Sequence, residues 1–322
     1  MSWNNCRGWI NERKYFLPPS IVCRATSLSS FPNHGNLDDN QSQAIARLTE
    51  AYRNHGHKLA DVNPLNHLDE PTVVELDPAC YGLKLDEKLS QEQENLLVKD
   101  VVDGLKAIYC GAISLETSTV ECSLEKEWLF SCFAETQARE LPHDLKRQIC
   151  KLMVESQNLD NFLGTKFPTL KRYGGEGAES MLPFFHQFLR SVCDSGVEQV
   201  FVGTAHRGRN NLLVGQLNFP LEVMFRKIKG LSEFPESALS IATGDVLSHL
   251  NISTDLDMED GRKLHVNLLG NPSFLEAVNP VAAGKCRGRQ QTLGEGPHRG
   301  NKAVCLLMHG DASFTGQGKM RM

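Results

Sequence analysis

Apolar residues recur at helical spacing through the first half of the chain. Ala44, Ile45, Leu48 and Ala51 fall on one face of residues 41–53, which predicts an amphipathic helix. The same period predicts helices over 90–107, with Ser90 as N-cap and Glu92 close behind, over 124–139 and over 142–155. After Lys166 the pattern alternates. Residues 177–191 read as an amphipathic helix and 197–202 as a buried strand. Residues 209–216 and 220–229 read as helices, with Pro220 tolerated in a first turn. Further strands are expected over 264–269 and 303–308. A helix is expected over 273–283, interrupted near Pro280, and a Gly- and Arg-rich connecting loop over 284–302. Apolar strands alternating with helices imply a mostly parallel sheet with helices on both faces. The fold class is therefore α/β, with a helical N-terminal domain over 38–161 and the α/β domain over 166–318. No internal repeat is present.

Composition narrows the function classes. The 322 residues, 40% hydrophobic and 23% charged, carry enough apolar mass for a sizeable core. A formal net charge of -5 argues against a nucleic-acid partner or a polybasic membrane anchor. No apolar run approaches the roughly 18 residues that a spanning helix needs. The ten cysteines are scattered, none in a Cys-x-x-Cys pair. That usage fits a reducing compartment better than a disulfide framework or a structural zinc site. Residues 1–37 carry Arg7, Arg13, Lys14 and Arg24 against a single acid, Glu12, and end in a Ser-rich stretch. A mitochondrial transit segment and a disordered tail share this composition, and both readings stay open. Asn251-Ile252-Ser253 matches a glycosylation sequon, but no secretory signal precedes it.

Candidate chemistry gathers at the end of the strand expected over 303–308, which runs into His309-Gly310-Asp311-Ala312-Ser313-Phe314-Thr315-Gly316-Gln317-Gly318. Ligands of open α/β sheets bind at the carboxyl ends of strands. Asp311 there can reach a hard cation carrying phosphates, and Gly310, Ala312 and Ser313 let backbone approach a diphosphate. Taken alone, Gly-Asp reads more simply as a strand–turn–helix corner with a capping aspartate. The stretch is not a Walker loop, because Ser313 stands where Lys319 would require a glycine, and no dinucleotide fingerprint occurs. His55 and His57, spaced by one glycine with no other ligand cluster, read as loop and cap residues rather than a metal site.

Four segments in order carry a resemblance. They are Lys171-Arg172-Tyr173-Gly174-Gly175-Glu176-Gly177-Ala178-Glu179-Ser180, Gly203-Thr204-Ala205-His206-Arg207-Gly208-Arg209, Gly270-Asn271-Pro272-Ser273-Phe274-Leu275-Glu276-Ala277-Val278, and residues 310–318. Upstream, His55-Gly56-His57, Asn63-Pro64-Leu65, Ile108-Tyr109-Cys110-Gly111 and Glu125-Lys126-Glu127-Trp128 add to it. Together, over about residues 51–318, they resemble the N-terminal part of the 2-oxoglutarate dehydrogenase-type thiamine-diphosphate E1 family. Tyr173–Ser180, Met224–Lys227 with Gly230–Glu236, and Gly244–His249 look most similar to its 2-oxoadipate branch.

The resemblance implies oxidative decarboxylation of a small 2-oxo dicarboxylic acid, 2-oxoadipate or 2-oxoglutarate, with acyl transfer to lipoamide. It implies thiamine diphosphate and Mg²⁺ as cofactors, a homodimer, a lipoyl-bearing E2 partner and the mitochondrial matrix. Arg207, Asp311, Ala312 and Ser313 are then expected at the cofactor, with Asp311 on the metal. His206 and His249 are the expected catalytic residues. Ser248 and Phe274 are expected at the substrate. Ser248 stands where the 2-oxoglutarate enzymes usually carry Tyr, leaving room for one more methylene, a discrimination of about 1–3 kcal/mol. Two departures matter. Phe274 replaces the family's active-site His and cannot carry a proton. The match stops at Gly318, so 319–322 is a non-family tail. The second metal-ligating Asn and the pyrimidine-binding domain are not among the 322 residues. On this reading the chain is a fragment, expected to be inactive alone. The alternatives are a non-catalytic chain that binds partners of the dehydrogenase complex, and an unrelated α/β enzyme.

Overall fold

The computed structural model describes residues 39–62, 71–89, 96–232, 234, 246–271, 274–294, 300–310 and 313. They fall into two compact units that divide at 140/141. The first unit is helical. Helix α1 (Asp39–His55) buries Ala44, Ile45, Leu48 and Ala51, the face that its spacing predicts. It packs with α2 (Val98–Tyr109) and shares a core with Phe130 and Ala134 of α3 (Ser123–Ala138). Helix α2 begins at Val98, later than expected. Leu97 is extended and bridges Lys88, and Asp100 caps the helix by accepting the Leu97 N–H at 2.8 Å. Ser90, the expected cap, lies outside the described residues, as does Asn63-Pro64-Leu65. Buried Arg53 donates two bonds to Glu127, at 2.8 and 3.0 Å, and lies over the Phe130 ring. Gly56 of the His-Gly-His segment is needed for packing: a Cβ there would meet the Tyr109 Cβ at 2.7 Å.

The second unit carries the sheet. Helix α4 (His143–Lys166) belongs to it, so the division falls before this helix rather than at 161–166 as expected. The reason is packing. α4 lies against α5 (Met181–Asp194) and α6 (Arg209–Gly215), and its buried Ser156 and Asp160 bond groups of this unit. The strands are β1 (Gln199–Thr204), β2 (Ile252–Asp257), β3 (Lys263–Leu268) and β4 (Ala303–Met308), in the order β2-β3-β1-β4. β1 pairs parallel with β3 and β4, while β2 runs antiparallel to β3. The expected α/β class with a mostly parallel sheet is observed.

Alternation along the strands gives the sheet one apolar face across all four strands and a second that is apolar over β1 and β4. Val200, Val202, Leu264, Val266 and Leu268 pack with Phe185 and Leu189 of α5 and Leu212 and Leu213 of α6. Phe201, Cys305 and Leu307 pack with Val278, Ala282 and Cys286 of α8 (Val278–Thr292). Helix α7 (Leu221–Ile228) adds Met224 to the first face, with Pro220 just outside its first turn.

α8 corrects the expected helix over 273–283 and the expected loop over 284–302. Pro280 sits in its first turn, where its missing N–H costs nothing, and so does not interrupt it. Gly284 and Gly288 face open space, while residues 278, 282 and 286, four apart, bury one face against the sheet. Strand β2 was not expected at all.

Candidate functional site

Because β1, β3 and β4 are parallel, their carboxyl ends lie along one edge of the sheet. Ile252 pairs with Leu268, so antiparallel β2 brings the 3-10 turn Leu247–His249 to that same edge. Residues distant in sequence meet there. His206, just past β1, places Nε2 at 3.2 Å from Nε2 of His249, with ring centroids 5.3 Å apart. At that distance one nitrogen carries the proton and the other accepts it. Burial pushes the His206 pKa down, and electrostatic repulsion from neighbouring His249, Arg209 and Lys171 pushes the same way. Tyr173 packs against the His206 ring at 5.0 Å.

Arg209 organises this edge. Its side chain is 1% exposed. Nε donates to the Leu250 carbonyl at 2.8 Å, Nη1 to Thr204 Oγ1 at 3.1 Å, and Nη2 to the Leu269 carbonyl. One guanidinium thus ties the end of β1, the entry to β2 and the exit of β3. Burial lowers its pKa to about 10, so it stays charged at neutral pH.

The glycines of 173–177 serve a second clamp. Asp160 of α4, buried and with its pKa raised by burial, accepts the Gly175 N–H at 2.7 Å. Gly208, at φ +67°, donates to the carbonyls of Tyr173 and Gly174 at 3.1 and 3.0 Å. A Cβ on Gly174 would sit 2.1 Å from Glu176 Oε2 and 2.8 Å from the Asp160 carboxyl, so only glycine fits undisturbed. Buried Asn211 donates to Ser156 Oγ at 2.9 Å, closing α6 onto α4. Exposed Arg207 donates to the Glu176 carbonyl at 2.6 Å.

Past β3 and β4 stands a different set. Glu276 is 0% exposed and Asn271 3%. Neither side chain has a hydrogen-bond partner among the described residues. Such groups are costly unless another polar group reaches them. His309 Nε2 lies 2.6 Å from Asn279 Oδ1, and burial lowers its pKa.

Of the residues singled out from sequence, His206 and His249 are in contact, and Ser248 shares the 247–249 turn. Arg207 stands at the same strand end. Phe274 is 75% exposed, past β3. Ser313 is buried and donates to the Gly310 carbonyl at 2.9 Å. Asp311 and Ala312 lie outside the described residues. Sequence reasoning missed Arg209 as a buried clamp, as well as Asp160, Asn211 and Glu276. The one signal available was a charged residue opening the otherwise uncharged segment Asn210-Asn211-Leu212-Leu213-Val214.

No protein-family profile matches the chain. Individual proteins do. A 2-oxoadipate dehydrogenase complex component E1 of Danio rerio is 49% identical over 294 residues, 87% of this chain and 32% of that protein. Its Homo sapiens counterpart is 47% identical over 289 residues, 85% and 31% respectively. The chain is a homologue of these E1 components. It spans about a third of the length of the curated relatives it matches. A mitochondrial 2-oxoglutarate dehydrogenase of Dictyostelium discoideum matches at 31% over 331 residues, covering 97% of this chain and 32% of that protein. Identity to the 2-oxoadipate-named E1 components of vertebrates is thus well above that to the 2-oxoglutarate-named one. Among the described residues no helix is long and apolar enough to cross a membrane.

Proposed function

We propose that this chain is part of an E1 component of a 2-oxo acid dehydrogenase complex in the mitochondrial matrix and is inactive alone. In this reading the whole E1 decarboxylates 2-oxoadipate in preference to 2-oxoglutarate, as a homodimer, and passes the acyl group to a lipoyl-bearing E2. The observation that carries the reading is the His206–His249 pair, held by Arg209 at the carboxyl ends of the parallel strands. The names of the relatives supply the chemistry to which such a pair would be put.

The residues present fit the diphosphate end of thiamine diphosphate with Mg²⁺. Arg207 offers an exposed guanidinium at a strand end, a Cβ on Gly310 would meet nothing within 4 Å, and buried Asn271 has unused polar atoms. Arg207 would grip the diphosphate with its fork of donors. Asp311 would hold Mg²⁺, with Ala312 and Ser313 beside it. The bound cofactor supplies the electron sink for loss of carbon dioxide. His206 and His249 share a proton between their Nε2 atoms and can deliver it to an oxygen developing negative charge. The lowered His206 pKa keeps that imidazole neutral at working pH. Ser248, beside His249, leaves room at the distal end of the acid.

The test uses the full product of the reading frame. Calorimetry should detect thiamine diphosphate binding that requires Mg²⁺. 2-Oxoadipate-dependent ferricyanide reduction should fall about 10²-fold or more in His206→Ala. Ser248→Tyr should penalise 2-oxoadipate more than 2-oxoglutarate. Failure to bind cofactor would overturn the cofactor assignment, and equal losses for both acids would overturn the role of Ser248.

A further inference from the structure

Away from the strand ends, β2 and β3 place other chemistry-bearing side chains on the sheet face flanked by α8. Their register sets Asp255 opposite His265 and Ser253 opposite Asn267, so all four share one face. Ser253 Oγ lies 3.0 Å from His265 Nε2, and His265 Nδ1 lies 2.6 Å from Asp255 Oδ1. Asn267 Nδ2 is 2.9 Å from Ser253 Oγ, and Lys285 Nζ of α8 is 3.3 Å from Asn267 Oδ1.

An ammonium only donates, so Lys285 takes the Asn267 oxygen and the amide NH₂ turns to Ser253. With the ring proton on Nδ1, where the Asp255 carboxylate accepts it, Nε2 accepts the serine proton. That tautomer makes a directed chain from lysine to aspartate and sets an imidazole against a serine hydroxyl, with a carboxylate at its other nitrogen. That is the nucleophile–base–orienter arrangement of acyl-transfer sites. Beside it lies a cleft of about 330 Å³ that includes Phe201, Lys285 and Arg289. Ser253 is exposed to it.

We propose that Ser253, with His265 as base and Asp255 as its orienting partner, is a nucleophilic site that hydrolyses small activated acyl esters bearing a carboxylate. Ser253 Oγ attacks the carbonyl carbon while its proton passes to His265 Nε2. The carbon–oxygen bond to the alcohol breaks, and the departing oxygen takes that proton. Water then attacks the acyl-serine, giving a proton to Nε2. The serine–acyl bond breaks, Oγ recovers the proton, and a carboxylic acid is released; nothing is oxidised or reduced. The second N–H of the Asn267 amide can donate to the oxyanion, and Lys285 and Arg289, one helical turn apart, supply charge for the carboxylate.

The test treats the 322-residue chain with a fluorophosphonate probe, and with 4-nitrophenyl acetate and mono-4-nitrophenyl succinate. One phosphonyl adduct is expected, mapped by peptide mass to Ser253 and absent in Ser253→Ala. Labelling should slow at least tenfold in His265→Gln. The succinyl ester should turn over faster than the acetyl ester, and Lys285→Gln should remove that preference. Ser253 and Lys285 are exposed and His265 is half-buried, and circular dichroism checks that each variant is folded. Wild-type chain without an adduct, an adduct on another residue, or an unchanged labelling rate in His265→Gln would overturn the proposal and leave a cross-strand hydrogen-bond ladder. Equal turnover of the two esters would overturn the carboxylate preference.

Discussion

Replacing Arg209 by methionine keeps a long, unbranched side chain and removes the guanidinium. The substitution gives up three hydrogen bonds from a cation: to the Leu250 carbonyl, the Leu269 carbonyl and Thr204 Oγ1. Bonds of that kind contribute about 1.5–3 kcal/mol each, or roughly 4–9 together. Against this stands relief from burying the charge. A pKa lowered from 12.5 to about 10 corresponds to roughly 3 kcal/mol. The balance is a net loss of about 3 kcal/mol, or about 6–12 °C in melting temperature for a unit of this size. Arg209→Lys makes the sharper comparison. It keeps the buried charge, while a compact ammonium cannot span three acceptors set around a planar fork, so it should be no better than methionine. Urea unfolding followed by far-ultraviolet circular dichroism gives the stabilities, and hydrogen exchange at Val200–Val202 and Val266–Leu268 locates the loss. Trp128 fluorescence is unsuitable, because that residue reports on the helical unit. A lysine variant as stable as the parent, or a methionine variant that loses less than about 1 kcal/mol, would refute the clamp.

Three further outcomes are expected. By NMR, His206 should titrate below its ordinary value of 6.5. Its neutral form is favoured by folding, so its contribution to stability is present above about pH 6.5 and is lost as pH falls through the folded pKa; His206→Gln should flatten that part of the curve. Gly174→Ala should cost about 1–3 kcal/mol in urea titration, since its Cβ meets the buried Asp160 carboxyl, whereas Gly284→Ala, in open space on a helix, should be neutral or stabilising. Glu276→Met should stabilise the ligand-free chain by about 1–3 kcal/mol in the same assay, because it removes a buried carboxyl without a hydrogen-bond partner among the described residues; destabilisation would show that the carboxyl is satisfied.

What could be read from the sequence divides along physical lines. Strands β1 and β4 were legible because both faces are covered, so their apolar runs are nearly continuous, and β3 because Leu264, Val266 and Leu268 alternate with His265 and Asn267. β2 was not. It is an edge strand whose Asp255 and Asp257 face solvent, and its alternation over Ile252, Thr254 and Leu256 is shallow. α8 was hidden by Gly284, Gly288 and a run of basic residues, all poor signals for a helix that tertiary contact with the sheet supports. The period of four from Val278 to Cys286 was present but carried by small side chains. At the site, His206 and Arg207 stood out through their motif. Asp160 and Arg209 did not, because most of their partners are backbone groups 15 to 60 residues away, fixed only once the strands are in register. The Ser253–His265–Asp255 row is an extreme case: it exists only through cross-strand pairing.

The strand ends hold two kinds of buried polar group, and the contrast says how the site is built. Arg209 is satisfied entirely from within, and what it binds is the backbone that carries His206 and His249. Its charge therefore fixes geometry and is not available to a ligand. Asn271 and Glu276 are as deeply buried, with no such partners among the described residues. A fold selected for stability alone would fill both positions with apolar side chains, as buried ionic groups lose to well-packed hydrophobic ones of similar volume. Keeping one group fully bonded and the other without a hydrogen-bond partner among the described residues, along the same edge of one sheet, separates the task of holding the imidazoles from the task of receiving a polar group. Raising stability at Glu276 should therefore cost ligand binding, while loss at Arg209 should cost both.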